Sequence, residues 1–228
     1  MVNSSGVSVD KKISMAVIQR LPRYYRYLGD LLDRDITRIS SKELSERMGI
    51  TASQMRQDLN NFGSFGQQGY GYSVELLYGE IKRILGLDRT YHLIIIGAGN
   101  FGQTLANYRN FAERGYVFRA MFDTNPAVIG TYVNGIEVRG IVHLESYLAN
   151  NLVDVAALTL PADAVASVVQ TLSDGGVKGI WNFSNSEIKA PPNVVLENVR
   201  LMDSLMTLTY RVNQEDIVCR LKAAEGYD

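Results

Sequence analysis

Apolar positions change their period several times along the chain, and each change marks an element. Tyr25, Leu28 and Leu32 recur at helical spacing, which predicts a first long helix. Pro22 interrupts an earlier apolar-periodic segment and opens this helix as its first residue. Two short helices follow with full start signals. Ser40 and Glu43 form one capping box, across which Ile39 can staple to Leu44; Thr51 and Gln54 form a second, with Ile50 and Met55 as its staple. Gly49 suits a helix end with a left-handed cap. The spacing thus predicts helices over 43–48 and 52–60 joined by a tight turn, a helix-turn-helix. Residues 61–73 alternate glycine with aromatics and glutamines, the composition of a tight β-hairpin. A helix over 74–85 carries Leu77, Ile81 and Ile84 inward and ends at Gly86 and Asp88. Helix-turn-helix, hairpin and closing helix make a winged helix.

From Tyr91 the period vanishes. Leu93 to Ile96 form an unbroken apolar run, the pattern of a parallel strand buried on both faces. Gly97, Gly99 and Gly102 follow as a G-x-G-x-x-G turn, and Phe101, Leu105 and Tyr108 continue at helical spacing. The rest alternates strands and helices. Strands are predicted over 117–122, 153–160, 177–183 and 193–202, a short helix over 144–148, and a helix started by Pro161 and ended by Gly175 and Gly176. Asn134 and Gly135, flanked by Val133 and Ile136, read as a hairpin-like insertion. A last amphipathic helix carries Leu205, Leu208, Val212, Ile217 and Leu221, with Asp203 as its N-cap. Its apolar face must be covered by its own sheet or by a second chain. The fold class is α/β, with residues 1–88 a winged-helix domain, 89–202 a Rossmann-like parallel-sheet domain and 203–228 a terminal helix.

The glycine turn carries the first candidate chemistry. Gly97 permits the tight turn, Gly99 lets backbone approach a pyrophosphate, and Gly102 lets helix and strand pack closely. Free N–H groups at the helix start would face the phosphates, and Ala98, Asn100 and Phe101 of the turn join its glycines as candidate cofactor-binding residues. Asp123, followed by Thr124, lies roughly 20 residues on, where a carboxylate accepts from ribose hydroxyls and disfavours a 2′-phosphate; it also suits the cap of an Asp-Thr-Asn-Pro turn. Ligands of open parallel sheets sit at the carboxyl ends of the strands, so Thr159, Leu160, Pro161, Asn182 and Phe183 are candidate lining residues. In the N-terminal domain the second short helix would expose Ser53, Gln54, Arg56, Gln57 and Asn60, side chains suited to bases and phosphates. Gln67 and Gln68 would stand at the hairpin tip.

Composition removes alternatives. The chain has 228 residues, 46% hydrophobic and 21% charged, an ordinary globular balance. Met1 to Asp10 is polar and lacks the apolar core of a signal peptide, and no apolar run approaches the ~20 residues that span a bilayer. A single cysteine, Cys219, excludes an internal disulfide and fits a reducing cytoplasm. Residues 1–88 hold 12 Lys+Arg against 10 Asp+Glu (+2), the remainder 11 against 14 (−3), too mild an asymmetry to announce nucleic-acid binding alone. Of the two histidines, His92 opens a strand, a structural position. No metal-ligand spacing and no nucleophile elbow appear. No second domain follows to hold a substrate beside a nicotinamide, so the dinucleotide reads as a signal and the chain as no enzyme. A small NAD-dependent oxidoreductase dimerised by its N-terminal domain, or a domain for another nucleotide or CoA, stays open as an alternative.

The order of these parts resembles the Rex family of redox-sensing transcriptional repressors over essentially the whole chain. The matching stretches are Arg20-Leu21-Pro22-Arg23-Tyr24-Tyr25-Arg26-Tyr27-Leu28, Ser40-Ser41-Lys42-Glu43-Leu44, Met55-Arg56-Gln57-Asp58-Leu59 with Phe62-Gly63, and Gly69-Tyr70-Gly71-Tyr72. In the second half they are Gly97-Ala98-Gly99-Asn100-Phe101-Gly102, Phe122-Asp123-Thr124 and Lys178-Gly179-Ile180-Trp181-Asn182-Phe183. The resemblance implies a cytoplasmic homodimer with its C-terminal helix swapped onto the partner, binding palindromic operator DNA when NADH is low. It further implies that NADH binding releases the DNA while NAD+ competes without doing so. By the same resemblance Phe62, Gly63, Gly69 and Tyr70 join the DNA-binding residues, and Arg26, Tyr108 and Asp203 form the switch, Tyr108 lying beside the cofactor. Two departures stand out: Gln57, Gln67 and Gln68 occupy places often basic in the family, and Ser204 one often apolar or aromatic.

Overall fold

The computed structural model describes residues 13–61, 66–67 and 71–224, with side chains for 13–61 and 71–215. The expectations for Phe62, Gly63, Gln68, Gly69, Tyr70 and the Gln67 side chain lie outside the described residues. The chain divides into two compact units, Met1–Arg89 and Thr90–Asp228.

In the first unit, helix α1 (Met15–Leu32) runs straight through Pro22. The expected break there does not occur. An interior proline removes one backbone bond and costs about 3 kcal/mol. Here Val17 and Leu21 on the N-terminal side, and Tyr24, Leu28 and Leu31 beyond, are all buried on one stripe. At roughly 1.5–3 kcal/mol for each large apolar side chain, that burial outweighs the lost bond. Strand β1 (Arg38–Ile39) leads into α2 (Ser41–Met48) and α3 (Ala52–Asn60). The N-cap half of each predicted capping box forms: Ser40 Oγ accepts from the Glu43 N–H and Thr51 Oγ1 from the Gln54 N–H, each at 3.1 Å, but the Gln54 side chain does not close its box, because its amide turns to Asp58; Gly49 takes the left-handed conformation at φ +65°. Strand β2 (Gly66–Gln67) pairs antiparallel with β3 (Gly71–Ser73), which also pairs with β1. The pairing with β1 was not foreseen, because a two-residue strand leaves no periodicity. Helix α4 (Val74–Ile84) closes the unit over a core of Leu21, Tyr24, Leu28, Leu44, Met55, Leu59, Leu77 and Ile81.

The second unit is a seven-stranded sheet. Its elements are β4 (Tyr91–Ile96), α5 (Asn100–Asn107), α6 (Asn110–Glu113), β5 (Tyr116–Asp123), β6 (Tyr132–Val133), β7 (Ile136–Gly140), α7 (Leu144–Asn150), β8 (Val155–Leu158), α8 (Ala162–Asp174), β9 (Gly179–Asn182), β10 (Val195–Asn198) and α9 (Leu201–Ala224). The strand order is β10-β9-β8-β4-β5-β7-β6, all neighbours parallel except β6. Order reverses between β4 and β8, the switch point at which doubly wound sheets hold their ligands. Ile94 and Ile96 belong to one core cluster and Ile95 to another, so successive side chains of β4 bury opposite faces. That accounts for the unbroken apolar run. The Asn134–Gly135 hairpin forms, but β7 is more than an insertion: it pairs with β5 as the third strand of the parallel half. The predicted strand over 193–202 is trimmed to Val195–Asn198, because Leu201 and Met202 already belong to α9. Among the described residues no helix is long and apolar enough to cross a membrane, and no cluster of His, Cys, Asp and Glu could hold a metal ion.

Candidate functional site

β4 delivers the chain to Gly97 at the switch point. This residue sits at φ +104°, where a Cβ would lie 2.8 Å from Thr159 Oγ1 and 2.9 Å from the Thr159 carbonyl oxygen. At Gly102 a Cβ would overlap the Gly97 carbonyl oxygen, so no side chain fits there without moving the backbone. Gly99 differs. Its φ is an ordinary −70°, and a Cβ there would meet nothing within 4 Å. The chain itself demands glycine at 97 and 102, while at 99 a side chain would obstruct only something approaching from outside. Gly99 is also the N-cap of α5 and offers no side-chain cap, so the first-turn N–H groups stand open to an anionic ligand. These features fit a dinucleotide pyrophosphate.

Asp123 closes the turn from β5. Its Oδ2 accepts from the Ala98 N–H at 2.6 Å and its Oδ1 from the Asn125 N–H at 2.8 Å. One carboxylate therefore ties down the glycine turn and caps the Asp-Thr-Asn-Pro turn, leaving lone pairs for two further donors. Thr124 beside it is exposed. Thr159 acts on the turn from β8: its hydroxyl lies 2.7 Å from the Gly97 carbonyl and 3.1 Å from that of Ile96, a clamp on the backbone. Leu160 packs against the sheet core and Pro161 is exposed as the N-cap of α8.

Asn182 departs from expectation. It is 1% exposed, and its amide nitrogen donates to Asn198 Oδ1 at 2.7 Å and to the Ser186 carbonyl at 3.2 Å. Its Oδ1 accepts from the Ser184 N–H and hydroxyl. Every polar atom is engaged inside the protein, so Asn182 fastens the ends of β9 and β10 and does not line the site with its amide. Phe183 does reach the turn. Its ring lies 5.0 Å from that of Phe101, itself 39% exposed at the start of α5. Trp181 stacks edge-on with Phe183 and with Phe111, and Phe111 with Tyr108, so a row of rings leads from the glycine turn to Tyr108.

Tyr108 is not on the helix after the turn, as its spacing predicts. α5 ends at Asn107, where Asn134 Nδ2 caps the Ala106 carbonyl, and Tyr108 adopts extended backbone. Its side chain is 56% exposed and its hydroxyl accepts from Asn110 Nδ2 at 3.4 Å. Asp203 also moves relative to expectation: α9 starts at Leu201, which puts Asp203 in the first turn instead of at the N-cap, where its charge still meets the positive end of the helix dipole. Every residue of α9 from 201 to 215 is exposed, including Leu201, Met202, Leu205, Met206, Leu208, Tyr210 and Val212. The apolar face is not covered by the helix's own sheet. His92 is structural, its Nδ1 accepting from Arg119 at the end of β4 opposite the glycine turn.

In the first unit, Ser53, Arg56, Gln57 and Asn60 are exposed along α3, and Gln54 is half-buried at their margin. Arg26 is exposed on α1. Beneath α3 lies a network the sequence reading passed over. Asp58 is fully buried and receives Arg20 Nε at 2.7 Å and Arg20 Nη2 at 2.8 Å, the Tyr24 hydroxyl at 3.2 Å and Gln54 Nε2 at 2.9 Å. Burial pushes its carboxyl up, but the hydrogen bonds from Arg20 and Gln54 and the guanidinium charge together hold it below the usual carboxylate range. Burial, then the Asp58 charge, pushes the Tyr24 hydroxyl far above its ordinary value. Arg23 Nη2 donates to the Met48 carbonyl at 3.0 Å, capping the end of α2. α1 thus grips both helices of the helix-turn-helix.

Comparison with known proteins agrees with both units. Residues 12–60 match the family model for a putative DNA-binding protein N-terminus, and residues 88–186 that for a CoA binding domain. The chain is 55% identical to the redox-sensing transcriptional repressor Rex of Caldanaerobacter subterraneus subsp. tengcongensis, over 92% of this chain and 94% of that protein. Two solved structures align along nearly their whole length. RSP in complex with β-NAD+ and operator DNA superposes with a TM-score of 0.85 at 51% identity, over 94% of this chain and 99% of that one. RSP in complex with β-NADH superposes with a TM-score of 0.85 at 49% identity, over 93% and 100%.

Proposed function

We propose that this chain, which belongs to the Rex family of redox-sensing transcriptional repressors, represses by binding palindromic operator DNA through its first unit and gauges NADH through its second. It holds the operator while NADH is scarce, NAD+ competes for the same turn without release, and NADH releases the DNA. The observation that carries this reading is Gly99, a glycine that its own chain does not require, at the uncapped start of α5 and on the switch point of the sheet. Asp123 supplies the ribose acceptor beside it, and Phe101 and Phe183 a wall along the dinucleotide. The nucleotide acts as a ligand, not a reagent, which accords with relatives named as repressors. The site lies within reach of the cytoplasmic NADH pool.

The working form is a homodimer with α9 packed on the partner. The exposed apolar residues of α9 support this, since a contiguous surface of that kind on a soluble protein marks an interface. Arg26, Tyr108 and Asp203 act as the switch: an arginine and a carboxylate can latch bidentately and release when their orientation changes. The test is operator binding under nucleotide titration. NADH should dissociate a palindromic operator selected by the protein, and excess NAD+ should restore the complex. Binding indifferent to both nucleotides overturns the sensor reading.

A further inference from the structure

The buried carboxylate under α3 determines more than the helix's position. A carboxylate offers about four lone-pair sites, and Asp58 has four donors on them: two from Arg20, one from Tyr24 and one from Gln54. Since the carboxyl is held in its ionised form and can only accept, the group facing it from Gln54 must be the amide nitrogen. That removes the usual freedom of a glutamine amide to turn over. Gln54 belongs to the first turn of α3, the part of a recognition helix that meets base edges, and it flanks the exposed Ser53, Gln57 and Asn60. With one N–H committed to Asp58, the amide keeps one N–H and the carbonyl Oε1, which meets no donor among the described residues.

The geometry points to Gln54 as the adenine-reading residue of the DNA face and to Asp58, anchored by Arg20 and Tyr24, as the positioning residue that fixes its amide. Adenine presents N7 as an acceptor beside the N6 donor in the major groove, the complement of one N–H and one carbonyl; guanine presents two acceptors, N7 and O6, and a glutamine with one free N–H cannot satisfy both. Asp58 so converts an amide of either orientation into a reader of fixed polarity. The inference rests on the DNA-binding reading of the first unit.

The test uses the full-length chain. A binding site is first selected from random duplexes, and each adenine of a half-site is then replaced in turn by 7-deazaadenine, which lacks the N7 acceptor. One adenine per half-site should weaken the wild-type complex by about 5- to 100-fold when so replaced. Gln54→Ala, which removes one donor from the carboxylate but keeps those of Arg20 and Tyr24, should bind the parent site more weakly and lose that sensitivity while keeping the same salt dependence. Asp58→Asn keeps the shape but lets the Gln54 amide turn, and should admit guanine at that position; its fold is checked by amide exchange in α1 and α3. Undiminished 7-deaza sensitivity in Gln54→Ala overturns the assignment of the reader. Unchanged adenine preference in a folded Asp58→Asn overturns the positioning role. Failure of the wild type to enrich any duplex overturns both together with the DNA-binding reading, a result distinct from either.

Discussion

Substituting alanine separately at Gly99 and Gly102 separates two reasons for glycine that a motif conflates. At Gly102 the new Cβ would overlap the Gly97 carbonyl and approach Thr159 Oγ1 to 2.9 Å. Overpacking costs about 1–3 kcal/mol, and the upper end applies because backbone cannot rotate aside as a side chain can. For a unit of this size that is a fall in Tm of about 8–12 °C. At Gly99 the new Cβ meets nothing within 4 Å, and the backbone, at φ −70° and ψ −176°, is one alanine adopts freely. Gly99→Ala should therefore shift Tm by no more than about 2–4 °C, since the reduced entropy of the unfolded chain is offset by alanine's poorer fit as the N-cap of α5. Yet it should weaken NADH by about 10- to 100-fold, the loss of one charge-assisted hydrogen bond to phosphate as the backbone is held away. Differential scanning calorimetry without nucleotide and isothermal titration with NADH give the two quantities. A Gly99→Ala protein with wild-type NADH affinity would refute the pyrophosphate reading, and an undestabilised Gly102→Ala would refute the steric one.

Three further outcomes follow from named contacts. Asp123→Ala should weaken NADH at least about tenfold while leaving operator affinity intact; because Asp123 also holds the Ala98 N–H, the telling readout is the NADH-to-NADPH affinity ratio, which must fall if the carboxylate meets the ribose and stays constant if it only braces the turn. The first unit should lose stability in acid: the folded carboxyl of Asp58 titrates below its unfolded value, so its contribution is complete above pH ~4 and vanishes as pH falls through the depressed folded value. Amide exchange in α1 and α3 across that window should show the loss, and Asp58→Asn, which leaves Arg20 without its ion pair, should flatten the profile at a cost of about 3–5 kcal/mol at neutral pH. Placing glutamate at both Leu205 and Leu208 on the exposed face of α9 should yield monomers in analytical ultracentrifugation; dimers of undiminished affinity would show that the interface lies elsewhere.

The parts legible in the sequence were those whose cause is local. Capping at Ser40 and Thr51 is decided within three residues, and both bonds form. The apolar run of β4 follows from burial on both faces, a demand each residue of the strand registers separately. What the sequence concealed depends on distant partners. Pro22 ends a helix by local rules, but Leu21 on one side and Tyr24 on the other pack into the same core, and that shared burial carries α1 through. Asn182 stands at a strand end where a ligand is expected, yet its amide is engaged by Asn198, sixteen residues on. One signal was available and unused: Asp58 falls on the apolar side of α3 with Met55 and Leu59, and a carboxylate there must find a cation. Arg20, beside the buried Leu21 on α1, is that cation.

Satisfaction of polar groups then sorts the remaining candidates. A side chain near a site is free to meet a ligand only with the hydrogen-bonding capacity its own protein leaves unfilled. Asn182 has none left, and Thr159 turns its hydroxyl toward the Gly97 backbone, so both act by holding the fold. Asp123 is divided, with one backbone donor on each oxygen and room for another on each. Gln54 is divided too, its nitrogen facing Asp58 while its oxygen meets no described donor. The divided residues combine what recognition needs: enough internal bonding to fix an orientation and enough unused capacity to meet a partner. For apolar groups the same reckoning runs in reverse. The exposed side chains of α9 lack the contacts that Leu28 or Ile95 obtain within the chain, and burying the surface they leave open is the drive that the proposed dimer would draw on.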